Sequence, residues 1–245
     1  MVAELRPALV IHAQALSDVD RCEREPQAAQ AHNVDALRHV VRALAPSRAL
    51  LIAVSTDYVF DGAKAAPYDE RDEPHPISVY GRSKHAAERC ALERERAVIV
   101  RTSTLFGAGR MNYCDHIVQQ LRDGQPVEAF LDQVTSPTFT DDLAESLVEL
   151  SQALEARWGA EIPRVYHLAN RGGCSRVAFA ERIADLLGCR RDLIRQISMA
   201  AQRRPAPRPA YSALMTVNVP QLIGRSLRPW DDALQAYLRQ RHWLN

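Results

Sequence analysis

The sequence predicts an α/β fold in which a parallel sheet carries helices on both faces. Apolar segments of strand length alternate along the chain with segments of helical spacing, the order typical of β–α–β units. Each strand segment is apolar at consecutive positions, as expected for a strand that is buried on both faces. The alternation is most regular up to residue 106, so we expect a Rossmann-like core followed by a smaller C-terminal substrate-binding region.

The first half of the chain contains three predicted strands and two predicted helices. Residues 2–6 resemble the last turn of a helix, which Pro7 ends before the first strand. Apolar residues between Val34 and Leu44 recur at helical spacing and predict the first full helix. The strands are expected at 8–13, 49–55 and 98–101, and the helices at 33–45 and 79–93.

The second half is less regular and mixes the two kinds of segment. Helices are expected at 114–122, 141–154, 176–187 and 230–241, and strands at 127–131 and 165–169. Thr140 is the expected N-cap of the 141–154 helix, and Gly188 is expected to end the 176–187 helix. We therefore expect residues 1–106 to form an incomplete dinucleotide-binding core, and residues 107–245 to complete that core and bind the substrate.

The composition excludes several classes of protein. The 245 residues carry a formal net charge of +1, so there is no basic excess for binding nucleic acid. No apolar segment approaches the roughly 18 residues of a membrane span. The five cysteines form no C-x-x-C pair and the eight histidines show no metal spacing, so we expect neither a disulfide framework nor a metal site. Since no signal-peptide pattern is present, we expect a cytoplasmic enzyme.

The strongest chemical signal is a tyrosine and a lysine four residues apart in the helix predicted at 79–93. Tyr80 and Lys84 lie on one helical face at that spacing. A phenol has a usual pKa of about 10, and a neighbouring ammonium stabilises the phenolate and lowers that pKa. Such a pair can transfer a proton near neutral pH. The alternative is a solvated tyrosine beside a surface lysine.

A cluster of hydroxyl and carboxyl side chains follows the strand predicted at 49–55. Ser55, Thr56 and Asp57 fall where an open parallel sheet binds its ligands, at the carboxyl end of a strand. A hydroxyl there can donate a hydrogen bond to a substrate carbonyl, although such clusters also form ordinary turns. The order Thr56, Tyr80, Lys84 is that of the Ser/Thr–Tyr–Lys triad of short-chain dehydrogenases and reductases.

These residues belong to a series of motifs that resembles the dTDP-4-dehydrorhamnose reductase family of extended short-chain reductases. The motifs are STDYVFDG at 55–62, APYDE at 66–70, PISVYGRSKHAAE at 76–88, RTSTLFG at 101–107, DQVTSPT at 132–138, YHLAN at 166–170 and RRPAPRPAYS at 203–212. The resemblance covers the chain from Leu5 onward.

The resemblance implies that NADPH or NADH reduces the 4-keto group of a nucleotide-linked 6-deoxysugar. Tyr80 would protonate the forming alkoxide, and Lys84 would lower the pKa of Tyr80 and hold the nicotinamide ribose. Thr56 would orient the carbonyl, and Asp57 would touch the sugar. A homodimer and a bound Mg²⁺ are further implications, although not all of the metal ligands can be placed in this sequence.

The same resemblance assigns the segment after the first predicted strand to the cofactor site. The cofactor-lining candidates there are Ala13, Ala15, Leu16 and Ser17. Asp20 matches an acidic family position just beyond and is expected to be structural. Three arginines of a proline-rich segment either meet a diphosphate or lie in a solvated loop: Arg203, Arg204 and Arg208.

Two features depart from the family pattern. The family motif R-T-S-W has a tryptophan where this sequence has Thr104. Thr104 is a candidate for binding the substrate, and its difference from the family motif leaves the identity of the sugar open. No G-x-G-x-x-G occurs, and we expect the first strand and its phosphate-binding loop to be missing from this sequence. The alternative function is therefore a non-catalytic nucleotide-binding or regulatory homologue that has lost this loop.

Overall fold

The structure, a computed structural model, describes residues 2–159 and 161–244. The strands are β1 (Leu9–His12), β2 (Leu50–Thr56), β3 (Ala97–Thr102), β4 (Leu105–Phe106), β5 (Val127–Phe130), β6 (Val134–Thr135), β7 (Thr138–Phe139), β8 (Val165–His167), β9 (Cys174–Ser175) and β10 (Ile194–Ile197). The helices are α1 (Val2–Leu5), α2 (Val19–Arg24), α3 (Pro26–Ala29), α4 (Ala36–Leu44), α5 (Val79–Leu92), α6 (Tyr113–Arg122), α7 (Thr140–Arg157), α8 (Arg176–Leu187), α9 (Asn218–Ile223) and α10 (Trp230–Gln240).

The central element is a parallel sheet with the strand order β1–β2–β3–β8. Alternate residues of β2 point to opposite faces, so Leu50 and Ile52 pack with apolar residues of α7 and α9. Leu51 and Ala53 pack on the other face with residues of α4 and α5. Because helices cover both faces, the predicted Rossmann-like α/β fold is confirmed.

The region after β4 packs around a second apolar cluster. Residues of α6, β5, α8 and α10 surround Phe106 in this cluster, and β10 pairs in parallel with β5. Other segments after β4 belong to the central sheet: α7 and α9 pack on one of its faces, and β8 pairs with β3. Within the described residues, no helix is both long and apolar enough to cross a membrane.

The prediction of a helix at 33–45 is wrong about where the helix begins. Helical structure begins at Pro26, and between α3 and α4 the chain forms a π-helical segment, Gln30–Asp35. The predicted N-cap is also corrected, because Thr140 is the first helical residue of α7 and Phe139 takes the cap position. Gly188 ends α8 as predicted, with a φ of 65° that favours glycine.

Candidate active site

Helix α5, which carries Tyr80 and Lys84, is held tightly against the end of β2. Ser78 caps the helix, because its hydroxyl accepts a hydrogen bond of 3.1 Å from the Gly81 amide. A Cβ atom on Gly81 would lie 2.2 Å from the carbonyl oxygen of Tyr58, so only glycine allows this approach. The Glu23 carboxylate accepts a further bond of 2.8 Å from the Val79 amide. The segments that follow β1 and β2 therefore both fix the helix.

A pocket of about 420 Å³ opens at the carboxyl ends of β1, β2 and β3. The triad candidates Thr56, Tyr80 and Lys84 all line it. The other predicted site residues in its lining are Ala13, Ala15, Ser17, Asp57 and Thr104. Leu16 is not among the lining residues. The parallel sheet thus brings to one place residues that are far apart in the sequence.

The Tyr80 phenol lies beside Thr56 and Tyr58. The Tyr80 and Tyr58 rings pack edge to face, with their centroids 5.7 Å apart. Burial raises the pKa of Tyr80, and a hydrogen bond with Thr56 opposes part of this rise. The predicted lowering by Lys84 is not found, because the Lys84 ammonium donates to the Val54 carbonyl instead, at 2.8 Å. The phenol therefore keeps its proton at neutral pH.

Lys84 is an almost fully buried cation with one hydrogen bond to the protein backbone. Its side chain reaches the last residues of β2, and 5% of the residue is exposed. Burial lowers the pKa of Lys84 to about 8, and the Glu88 carboxylate, one helical turn further along α5, opposes this lowering. An ammonium has three N–H donors, so two remain for other partners.

Asp57 is a buried carboxylate in the lining of the pocket, and hydroxyl groups surround it. Ser212 and Ser103 donate hydrogen bonds to it at 2.5 Å and 2.9 Å, and Thr56 donates one at 3.1 Å. Burial raises the pKa of Asp57, and these hydroxyls oppose the rise. Asp57 also orients the Thr56 hydroxyl, and the predicted contact of Asp57 with the sugar stays a prediction.

Asn33 is a buried residue beside the pocket whose contacts the sequence prediction missed. It lies in the π-helical segment, is 1% exposed, and its amide oxygen accepts a bond of 2.7 Å from the Leu16 amide. Its amide nitrogen donates to the Leu16 carbonyl and to the Ser83 hydroxyl. Asn33 thus ties the predicted cofactor loop to α5 next to Lys84. A lone amide side chain within an apolar helical pattern was the available signal.

A buried ion pair lies behind Lys84 and was also missed. Glu88 and Arg101 form two bonds of 2.9 Å and 2.8 Å, and each side chain is 4% exposed. Burial tends to raise the pKa of Glu88, but the hydrogen bonds from Arg101 outweigh it and hold the pKa at about 2. The signals were a carboxylate four residues after Lys84 and an arginine inside an apolar strand.

The wall of the pocket contains Thr104 and a third missed residue, Arg176. Thr104 has a φ of 43°, a left-handed conformation that is strained for a β-branched residue. Its hydroxyl accepts a long hydrogen bond of 3.4 Å from the Arg176 guanidinium. No periodic pattern marks Arg176, which is the first residue of α8, directly after β9.

The expected structural role of Asp20 agrees with its contacts. Its carboxylate pairs with Arg208, at 2.6 Å and 2.9 Å, and so connects α2 to the proline-rich segment. Among residues 2–159 and 161–244, no group of three His, Cys, Asp or Glu side chains could hold a metal ion. These residues therefore do not fit the Mg²⁺ implied by the resemblance, and no chemical step is assigned to it.

The whole chain matches a known family model. The RmlD substrate binding domain model matches residues 1–242. A dTDP-4-dehydrorhamnose reductase from Streptomyces griseus is 37% identical over 93% of this chain and 81% of its own length. The chain belongs to the dTDP-4-dehydrorhamnose reductase family. This membership confirms the resemblance seen in the motifs and the expected enzyme class, an oxidoreductase.

Two further members of the dTDP-4-dehydrorhamnose reductase family extend the comparison. The Mycobacterium tuberculosis enzyme is 38% identical over 96% of this chain and 73% of its own length. The crystal structure of the Bacillus anthracis reductase in complex with NADP has a TM-score of 0.89 and 31% identity. It aligns with 98% of this chain, which spans 83% of that structure. The likeness therefore includes the complete set of elements around the pocket.

Proposed function

We propose that the chain reduces the 4-keto group of a dTDP-linked 6-deoxysugar, with Tyr80 as the proton donor and NADPH as the reductant. The observation that carries the proposal is the convergence of Thr56, Tyr80 and Lys84 on one pocket at the carboxyl edge of the sheet. Relatives at 37% and 38% identity carry the name of this reductase. The relative from Bacillus anthracis was solved with NADP.

Tyr80 is suited to act as the acid of this reaction. Reduction of a ketone produces an alkoxide that must receive a proton, so the donor has to be protonated beforehand. A phenol is protonated at neutral pH even at its usual pKa of about 10, and burial raises the pKa of Tyr80 further. Because an alkoxide is a stronger base than a phenolate, the proton can still pass from Tyr80 to the forming alkoxide. Thr56 lies between Asp57 and Tyr80, and its hydroxyl is oriented by Asp57. To align the substrate carbonyl, Thr56 would turn its single O–H from Asp57 to that carbonyl when the sugar binds.

Lys84 and the loop after β1 fit a nicotinamide cofactor. When bound, the nicotinamide supplies the hydride. The buried Lys84 ammonium has N–H donors beyond the one that Val54 accepts, and ribose hydroxyls are suitable partners. Ala13, Ala15 and Ser17 are small and line the pocket beside it, which leaves room for a flat ring. Leu16 contributes through its backbone, which Asn33 fixes.

The two parts of the chain divide these tasks in our proposal. Residues 1–106 contribute the triad, the loop beside the cofactor and Thr104, whereas residues 107–245 contribute Arg176 beside the sugar nucleotide. The homodimer and the cytoplasmic location stay predictions.

The test is an assay of the reduction of a dTDP-4-keto-6-deoxyhexose, in which the fall in NADPH absorbance measures the rate. Tyr80→Phe should lower kcat by about 10²–10⁴-fold, because it removes the acid and leaves the ring in place. Tyr166→Phe is the matched control, since the Tyr166 hydroxyl is buried in β8 without a hydrogen-bond partner among the described residues. Equal rates for the wild type and Tyr80→Phe would contradict the proposed role.

The second candidate function is the non-catalytic nucleotide-binding or regulatory homologue, the alternative that the sequence left open. In that case the chain would bind a nucleotide but would consume no NADPH with any keto sugar. Turnover that depends on Tyr80 excludes it.

A further inference from the structure

Three arginines and one carboxylate form a charged surface at the mouth of the pocket, which we call the arginine wall. It consists of Arg176, at the start of α8, and of Arg204 and Arg208, in the proline-rich segment 203–209. Arg208 is neutralised by Asp20. Among the ion pairs of residues 2–159 and 161–244, none involves Arg176 or Arg204. The wall therefore carries a surplus of two positive charges.

Aromatic rings, rather than carboxylates, hold the two unpaired guanidinium groups. The Arg176 guanidinium lies 4.8 Å from the centre of the Tyr113 ring, and that of Arg204 lies 4.7 Å from the centre of the Phe130 ring. A ring fixes the plane of a guanidinium without neutralising its charge. The N–H groups at its edge then remain able to bind an anion.

The side-chain hydrogen-bond partners of these two arginines are neutral. Arg204 donates to the Gln202 amide oxygen at 3.0 Å and 3.3 Å. Arg176 donates to the Gln133 amide oxygen at 3.5 Å and to the Thr104 hydroxyl at 3.4 Å, both long contacts. The Asp57 carboxylate acts on Arg176 through space, but it is occupied by three hydroxyls and makes no ion pair with it.

The arginine wall faces the reaction pocket. Arg176 lines that pocket, and Arg204 and Arg208 line a neighbouring cavity of about 480 Å³. The two cavities are neighbours across α2, because Val19 lines the reaction pocket and the next residue, Asp20, pairs with Arg208 of the second cavity. A ligand that extends from the triad past α2 would meet Arg176 in the first cavity and Arg204 in the second.

We propose that Arg176 and Arg204 bind the diphosphate of the nucleotide-linked substrate. A doubly substituted diphosphate carries two negative charges, which matches the surplus on the wall, and arginine forks suit phosphate oxygens. The choice of the substrate over the cofactor rests on the proposed function, in which Thr104, the partner of Arg176, lies beside the sugar. The cofactor candidates follow β1 instead.

The test is titration calorimetry of the 245-residue chain with dTDP, which has no keto group and so measures binding apart from reduction. Arg176→Gln and Arg204→Gln should each raise the Kd for dTDP about tenfold, and the double variant by about 50-fold or more. Arg203→Gln is the matched control, because Arg203 is an exposed neighbour in the chain and the substitution removes the same charge. It should change the Kd by about twofold at most.

Two further ligands identify the source of the diphosphate. Thymidine, which lacks phosphate, should bind the wild type and the variants with equal affinity, and NADP⁺ should be affected no more than in Arg203→Gln. A selective loss of NADP⁺ binding would assign the arginines to the cofactor and overturn the proposal. A wild-type chain that binds no dTDP, or variants that bind it as tightly as Arg203→Gln, would overturn it as well.

The binding result and the reductase result can fail separately. Loss of dTDP affinity in the variants, with no keto-sugar reduction by the wild type, would support the diphosphate site and contradict the proposed reaction. Arg204 is exposed, so its variant should keep the wild-type thermal unfolding temperature and give an answer even where Arg176→Gln unfolds. Arg176→Lys, which keeps the charge but loses the planar fork, should give an intermediate Kd.

Discussion

The buried residues behind the triad, which we call the floor, differ from the arginine wall at the mouth of the pocket in the partners of their charged groups. The floor consists of Asn33, Lys84, Glu88 and Arg101, and each of these side chains forms at least one hydrogen bond with another group of the chain. In the wall, two of the three cations rest on aromatic rings and keep neutral partners. A charge satisfied within the chain holds a catalytic group in place, whereas an unsatisfied charge near solvent is available to a ligand.

The comparison predicts that the largest loss of stability comes from the floor. Glu88→Gln leaves Arg101 buried without a counter-charge and should lower the free energy of unfolding by about 3–5 kcal/mol. Urea denaturation measures this change. The control is Glu155→Gln in the partly exposed pair with Arg96, which should cost about 1 kcal/mol or less. Similar losses for both pairs would remove the distinction between floor and surface.

The second prediction concerns the amide that joins the loop to α5. Asn33→Ala leaves the buried backbone groups of Leu16 and the Ser83 hydroxyl without their partner, and should lower the free energy of unfolding by about 2–3 kcal/mol. It should also raise the Kd for NADP⁺, because the loop is no longer fixed. Gln30 is an exposed residue of the same π-helical segment, and its side chain donates one exposed hydrogen bond to Asp35. Gln30→Ala should therefore change the unfolding free energy and the Kd for NADP⁺ only slightly. An unchanged Kd would deny Asn33 its positioning role.

The third prediction is a loss of activity in alkaline solution. Because the pKa of Lys84 is lowered to about 8, its ammonium loses its proton above that pH, and kcat/KM should then fall about tenfold per pH unit. Stability should change with the opposite sign. Between pH 8 and the ordinary value of 10.5 the unfolded chain binds more protons than the folded one, so Lys84 makes the unfolding free energy rise with pH. A pH profile that stays flat from 7 to 10 would contradict the assignment.

The smallest expected change in stability lies in the wall. Arg204 is exposed and makes no ion pair within residues 2–159 and 161–244, so Arg204→Gln should change the unfolding free energy by about 0.5 kcal/mol or less. Thermal unfolding in low salt is the measurement. A marked destabilisation would show that the wall serves the fold, as the floor does, and would blur the contrast between the two regions.

The sheet and the triad could be predicted because they depend on local patterns. Apolar periodicity marked β2, β3 and α5, and the four-residue spacing placed Tyr80 and Lys84 on one face. The prediction missed where the helix before β2 starts. A π-helical segment lies there, and within it Asn33 makes contacts across the fold with Leu16 and Ser83. Sequence pattern does not register such contacts.

The pKa shifts and charge partners of the site residues were harder to predict than which residues form the site. The shift of the Tyr80 pKa depends on how deeply the phenol is buried and on where the Lys84 ammonium points, and it points to Val54. Arg176 gave no signal because its significance lies in having no ion-pair partner among the described residues, which only the packing of α8 reveals. Spacing shows which residues share a face, but it does not show the solvent exposure or the partners of each charge.

The return of β8 to the central sheet has a consequence for synthesis on the ribosome. Strand β3 is complete at Thr102, but the partner of its outer edge is made only when the chain reaches His167. At rates of roughly 5–20 residues per second, that edge stays open for about 3–13 s. During this interval an apolar strand can pair with another nascent chain, so the yield of native protein should depend on how quickly the segment between β3 and β8 is translated.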